Sequence, residues 1–356
     1  MKLLIAVGVI ALMVGSFLFV KGPSPVIIVA PEHIFDIAGI GVTNTMFTSW
    51  IVVALLCLVA VIAGRGVSLV PSGFSGFVEA IVAGFYGIVV GFAGEENGRR
   101  FFWVIGTIFF YVLASNYFGL LPMNGIVGKV EPGHGHKQVE FKQTAVAGIP
   151  MSYIAIAPVQ CEGAACPAAP GADAHGAPAK PDAAKPDAKA ADHSADAKAN
   201  EGKTFGLLAP YFRSVNTDVN APLAIAIFSF IFVEFWGLSA LGPSYLKKFF
   251  AFGALKKGPM GLIDVFVGLL EFVSELSRMV SFTFRLFGNV FAGEVLLAMM
   301  SFLVPFVLVD IFFGLELFVG LVQAFVFAML TLVFAQTAVA HHGGDDHNEA
   351  HAEGHH

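Results

Sequence analysis

The chain is 356 residues long, 56% hydrophobic and only 13% charged, with 37 phenylalanines and a formal net charge of −6. That balance excludes an ordinary soluble domain, and the lack of a long basic stripe excludes a nucleic-acid binder, leaving an all-α polytopic membrane protein in a lipid bilayer. Three cysteines exclude a disulfide framework: Cys57 lies in an apolar run and reads as a small buried hydrophobe, while Cys161 and Cys166 read equally well as a pair or as two thiols.

Residues 1–22, "MKLLIAVGVIALMVGSFLFVKG", carry one lysine ahead of an apolar core and read as an export signal or an uncleaved anchor helix. Within 23–121 a first span covers about residues 48–63, closed by Arg65, and a second covers about 101–121, "FFWVIGTIFFYVLASNYFGLL". Between them, "GFSGFVEAIVAGFYGIVVGFAG" would put Arg65 and the Arg99/Arg100 pair on opposite sides if it crossed. The positive-inside rule therefore lays it in the interface.

Residues 122–214 form an outer-side loop whose middle, "APAKPDAAKPDAKAADHSADAKAN", repeats AKPDA and holds no large apolar residue. Such a stretch cannot build a core and reads as a spacer. Residues 215–258 hold the third span, "APLAIAIFSFIFVEFWGLSALG", and an inner loop marked by Lys247, Lys248, Lys256 and Lys257. Residues 259–340 form two long apolar helices, about 262–303 and 306–340, separated by Pro305. The first is about twice the thickness of a hydrocarbon core, so it is strongly tilted or broken. The total is about five membrane passes plus one interfacial helix, followed by a polar tail at 341–356 that reads as a solvated inner terminus.

The final third carries Asp264, Glu271, Glu275, Arg278, Arg285, Glu294, Asp310 and Glu316, with Gln323 as a further polar group. A charge at bilayer depth costs at least ~2.5 to 3.5 kcal/mol, so each needs a partner, water or a function. Snorkelling to a helix end accounts for Asp264, Arg278 and Asp310. For the others, an antiparallel hairpin turning near Pro305 puts Arg285 level with Gln323, and Glu294 level with Glu316. Glu294 lies nine residues beyond Arg285, on the opposite helix face and ~13 Å along the axis. Guanidinium stays charged when desolvated, so Arg285 is a fixed cation. Two carboxylates at one depth can hold and release a proton. The layout reads as two half-paths for an ion separated by a permanent cation, with Glu271 on the inner side.

"RLFGNVFAGE" and "LELFVGLVQAFVFAMLTLVF", together with "TDVNAPLAIAI", "SNYFGLLP" and "GFVEAIV", resemble subunit a of the F-type ATP synthase. The resemblance implies a multi-pass protein of a bacterial inner membrane, with residues 122–214 outside and the C-terminus cytoplasmic. It implies partnership with the c-ring, subunit b and other subunits of the Fo sector. It assigns Arg285 as the arginine facing the c-ring carboxylate. Glu294, Glu316 and Gln323 would line the outer half-channel, with Asp218, Asn220 and Asn116 nearer its mouth, and Asn289 and Glu271 would belong to the inner one. No cofactor or metal is expected, because six of the eleven histidines sit in the tail without ligand spacing. No phosphate-binding "GxxxxGK[ST]" occurs, so the chain is expected to be a non-catalytic subunit. The alternative is a self-contained secondary transporter, against which the chain shows no paired internal repeats.

Overall fold

The computed structural model describes residues 8, 10–15, 17, 31–37, 39–66, 73–121, 124, 127–131, 138–146, 149–154, 160–161, 204–242, 245, 249, 259–304 and 307–340, with the backbone alone from 129 to 209. Of the expected export signal or anchor, 10–15 is helical and most of the rest lies outside the described residues. The AKPDA repeat, Cys166, the four inner-loop lysines and the His-rich tail also lie outside them.

Six helices among the described residues are long and apolar enough to cross a membrane. They are α1 (Asn44–Arg65), α2 (Gly73–Ala93), α3 (Glu95–Gly119), α4 (Asn220–Leu241), α5 (Pro259–Leu303) and α6 (Val307–Ala340). The fold is thus that of an all-α polytopic membrane protein. The chain divides into two units, one of 49–118, 214–297 and 311–356, the other of 1–48, 119–213 and 298–310.

The first unit holds most of the helical core. In α1, Trp50, Val53, Leu55, Leu58, Val61 and Ile62 are all exposed, as a lipid-facing helix requires. Cys57 belongs to that surface: it is a free, exposed thiol, not the buried hydrophobe expected. Its apolar neighbours serve contact with lipid here, a reason for hydrophobicity that pattern alone does not separate from burial. α2 and α3 meet at Gly94, whose φ of +78° suits a residue without Cβ. Phe85 of α2 stacks on Phe109 of α3 at 4.1 Å. Length and hydropathy qualify α2 to cross, and its expected interfacial position rests on the arginine asymmetry alone.

α3 is the most enclosed of the six. Its buried Phe101, Val104, Ile105, Ile108 and Val112 join Trp236 of α4 and Phe327 and Leu332 of α6 in one core. Phe101 and Trp236 lie 4.4 Å apart. On α6, the buried face runs through Ala324, Ala328, Thr331, Ala335 and Ala338. Small residues at this spacing let neighbouring helices approach closely, which is how helices associate where water cannot drive them together. α5 is one unbroken helix of 45 residues, ~68 Å long at ~1.5 Å per residue and so strongly tilted in any bilayer.

The second unit contains a hairpin, β1 (His33–Ile37) with β2 (Ile40–Thr43), and five further strands: β3 (Val127–Glu131), β4 (Gln138–Val146), β5 (Ile149–Ile154), β6 (Gln160–Cys161) and β7 (Thr204–Pro210). All pairings are antiparallel. β5 pairs with both β3 and β4, and β7 does the same, so these four close into a ring with β6 added beside β4. The flanks of the expected outer loop therefore hold regular structure.

A Cβ at position 98 would stand 2.9 Å from Cα of Val90. Gly98→Leu is expected to prise α2 from α3 and cost about 1–3 kcal/mol; an unchanged melting temperature of the detergent-solubilised protein would contradict this close approach.

Candidate intramembrane polar site

α5 sorts its residues by the helical period. Gly268, Glu275, Phe282, Leu286 and Gly293 are buried, while Ser274, Ser281, Arg285, Asn289 and Ala292 are exposed. At ~100° per residue, positions 274, 281, 285 and 292 fall within about 40° of one another. Arg285 thus stands on an exposed flank whose nearest other exposed members, Ser281 and Ala292, are small. Among the described residues no carboxylate reaches its guanidinium as an ion pair, and its Cζ lies 5.9 Å from the Phe282 ring centroid.

Glu316, on α6, is 9% exposed. Its carboxylate lies where a Cβ at Gly293 would be, so the missing side chain at 293 makes room for it. Glu294 follows Gly293 and is exposed. The expected match of depth between 294 and 316 is therefore present to within one residue. The other expected match moves by one turn: Gln323 accepts a hydrogen bond from Nδ2 of Asn289 at 2.7 Å, and Arg285 stays apart. The resemblance placed Asn289 in the inner half-channel and Gln323 in the outer one; the two side chains are bonded to each other. Glu271 is half-buried on α5, fourteen residues before Arg285 and ~21 Å along the axis.

From Gln323 the polar groups continue towards α4. Nδ2 of Asn116 donates to the Gly320 carbonyl at 3.1 Å, an approach that glycine permits. Nδ2 of Asn216 donates to Oδ1 of Asn116 at 2.7 Å. Asn216 belongs to a single 3-10 turn, Val215–Thr217, just ahead of α4. Asp218 is buried, and its Oδ1 accepts the Asn220 backbone N–H at 3.0 Å, closing an Asx turn just ahead of α4. Asn220 itself is exposed. Oδ1 of Asn216, Oγ of Ser115 and Nε2 of Gln323 are buried without a hydrogen-bond partner among the described residues. Polar atoms in that condition cost about 1–3 kcal/mol each unless water reaches them, so the row is suited to hydration.

Asn216 is the site residue that sequence reasoning missed. It lies in "SVNTDVN", of which the resemblance gave a place only to Asp218 and Asn220, and its full burial depends on α3 meeting α4. Glu275 was given no role, and Arg278 was read only as snorkelling to a helix end. Chemically, Glu316 can take up and release a proton, the amides can order water, and Arg285 can do neither while remaining positive.

A family model described as "ATP synthase A chain" matches residues 46–336. The chain belongs to that family. It is 25% identical to ATP synthase subunit a of Desulfosudis oleivorans over 299 residues, covering 82% of this chain and 86% of the relative. It is also 25% identical to ATP synthase subunit a 3 of Pelobacter propionicus, covering 91% and 97%. A third relative, ATP synthase subunit a of Helicobacter acinonychis, is 25% identical with 86% and 97% covered.

Gly293→Ala places a methyl on the Glu316 carboxylate and is expected to slow ion translocation in membrane vesicles at least about tenfold, equivalent to ~1.4 kcal/mol. Gly314→Ala, where an added Cβ meets nothing within 4 Å, is the control; equal rates for the two variants would refute the contact.

Proposed function

We propose that the chain is the proton-conducting stator subunit of an F-type ATP synthase, working against a rotating c-ring, with subunit b and other Fo subunits as further partners. The observation that carries this reading is the bare, exposed guanidinium of Arg285 between the small Ser281 and Ala292. A fixed cation that meets no carboxylate among the described residues calls for an anion on a partner, and small neighbours admit a partner helix closely.

In this function the outer half-path runs past Asp218, Asn220, Asn216 and Asn116 to Glu316, Glu294 and Gln323. Its support is the hydrogen-bonded row and the buried carboxylate against Gly293. A proton arriving there passes to a ring carboxylate, which then enters lipid as a neutral acid. After the ring turns, the carboxylate meets Arg285, gives up the proton to the inner half-path through Glu271, and pairs with the guanidinium until the next step. Asn289 sits between Arg285 and Gln323 and orients the amide at the outer boundary. Because Arg285 keeps its charge, no proton hops directly from one half-path to the other.

A potential of 100 mV supplies ~2.3 kcal/mol per charge, so many single-proton steps must be summed by the ring before catalysis elsewhere in the complex. The chain itself is non-catalytic. We place it in a bacterial inner membrane with 122–214 outside, α2 in the inner interface and the C-terminus cytoplasmic, an orientation supported by Arg65, Arg99 and Arg100 on one side.

Arg285→Ala is expected to abolish ATP-driven proton pumping in inverted vesicles, and Arg285→Lys to leave coupling defective, since an ammonium in this setting can lose its proton. Pumping at the normal rate in Arg285→Ala would refute the function. Glu294→Gln and Glu316→Gln, made singly, should slow translocation and change its pH dependence. An unaltered pH profile in both would rule out the two carboxylates as carriers.

A further inference from the structure

Arg285 is not the sole guanidinium on its flank of α5. Arg278 lies seven residues earlier, within ~20° of the same direction and ~10 Å along the axis. Helical geometry alone would present both, yet the structure treats them oppositely. Arg285 is exposed. Arg278 is half-buried, with Nη1 donating to Oε2 of Glu275 at 2.6 Å and Cζ 3.8 Å from the Phe334 ring centroid. Snorkelling, the sequence-based reading of Arg278, is replaced by an ion pair and a cation–π contact.

The position of Glu275 is the second observation. It is 4% exposed and occupies the buried stripe between Gly268 and Phe282, where packing alone calls for an apolar residue. The pair lines a small cleft with Ser229, Val233 and Phe334. Nearby, Tyr245 is buried against Gly237 and hydrogen-bonded to Glu234. Burial first, and then the Glu234 charge, push its phenol well above its ordinary value, so it remains a neutral hydroxyl. Glu275 thus stands among protein groups, with Arg278 as its cationic partner.

We infer that Glu275 is a positioning residue: together with Phe334 it draws Arg278 off the exposed flank of α5, so that Arg285 is the guanidinium the flank presents. This rests on the proposed function. Released from Glu275, Arg278 would project a second permanent cation towards the inner half-path. There it would compete for the ring carboxylate and oppose the departing proton. The spacing of seven residues makes the competition unavoidable unless one of the two is held back.

The test is ATP-driven pumping by the assembled synthase in inverted vesicles, normalised to the amount of assembled complex. Glu275→Gln is expected to lower pumping at least about tenfold, which is ~1.4 kcal/mol. The double variant Glu275→Gln with Arg278→Gln is expected to recover most of that loss, because the cation to be restrained has been removed. A role in packing alone predicts no such recovery. Normal pumping in Glu275→Gln, or a double variant no faster than the single one, overturns the inference. If Glu275→Gln does not assemble, Phe334→Ala releases Arg278 from its other side. The expected result is then a loss relieved by Arg278→Gln, and no relief overturns the inference. Arg285→Ala in the same vesicles separates the two levels. Its pumping normally sinks the proposed function, whereas its failure alongside a fully active Glu275→Gln sinks the positioning role alone.

Discussion

A guanidinium that belongs at membrane depth constrains everything packed around it. It cannot shed its charge to lower its solvation cost, so the cost of at least ~2.5 to 3.5 kcal/mol must be met by a counter-charge, by water or by a partner. Arg278 and Arg285 show two responses within one helix. The first is met inside the chain by a buried carboxylate and an aromatic face. The second is met by no carboxylate among the described residues and lies on an exposed flank lined by Ser281 and Ala292. The contrast gives the surface of α5 a direction: one side is finished by the chain's own core, the other is left exposed.

The packing that supports this surface is built from small residues. Ala324, Ala328 and Ala335 bring α6 close to its neighbours, Gly320 lets Asn116 reach a main-chain carbonyl, and Gly293 leaves space for Glu316. Each absent side chain admits a polar contact that a larger residue would block. The same economy explains why a long tilted helix can carry carboxylates and amides at several depths without losing its fit to α6.

Much of this was legible in the residues. Six apolar segments and two long helices in the final third follow from hydropathy and helical rise, whereas helical rise left open whether α5 is tilted or broken, and it is one unbroken helix. The equal depth of Glu294 and Glu316 follows from antiparallel counting to within one residue. Counting did not resolve which amide meets Gln323, because a shift of one helical turn leaves the depths almost matched. The hydrogen bond went to Asn289, not to the level of Arg285. Asn216 was out of reach because its burial is created by α3 and α4 meeting, a long-range event that leaves no local periodicity. Glu275 was readable in hindsight from its heptad position between Gly268 and Phe282, but a charge there looks like a helix-end residue until its partner is seen. Cys57 misled because lipid and protein core demand the same side chains.

The most direct test of a rotor-facing Arg285 is cysteine crosslinking in the assembled complex, with Cys57, Cys161 and Cys166 first replaced by serine. A cysteine introduced at Ser281 or at Ala292, on the flank of Arg285, is paired with a cysteine beside the ring carboxylate. A cysteine at Phe318, exposed on α6, serves as the comparison. Disulfides from 281 and 292 to the ring, and none from 318, are the predicted result. Failure of both flank positions to reach the ring, with or without a bond from 318, would contradict it.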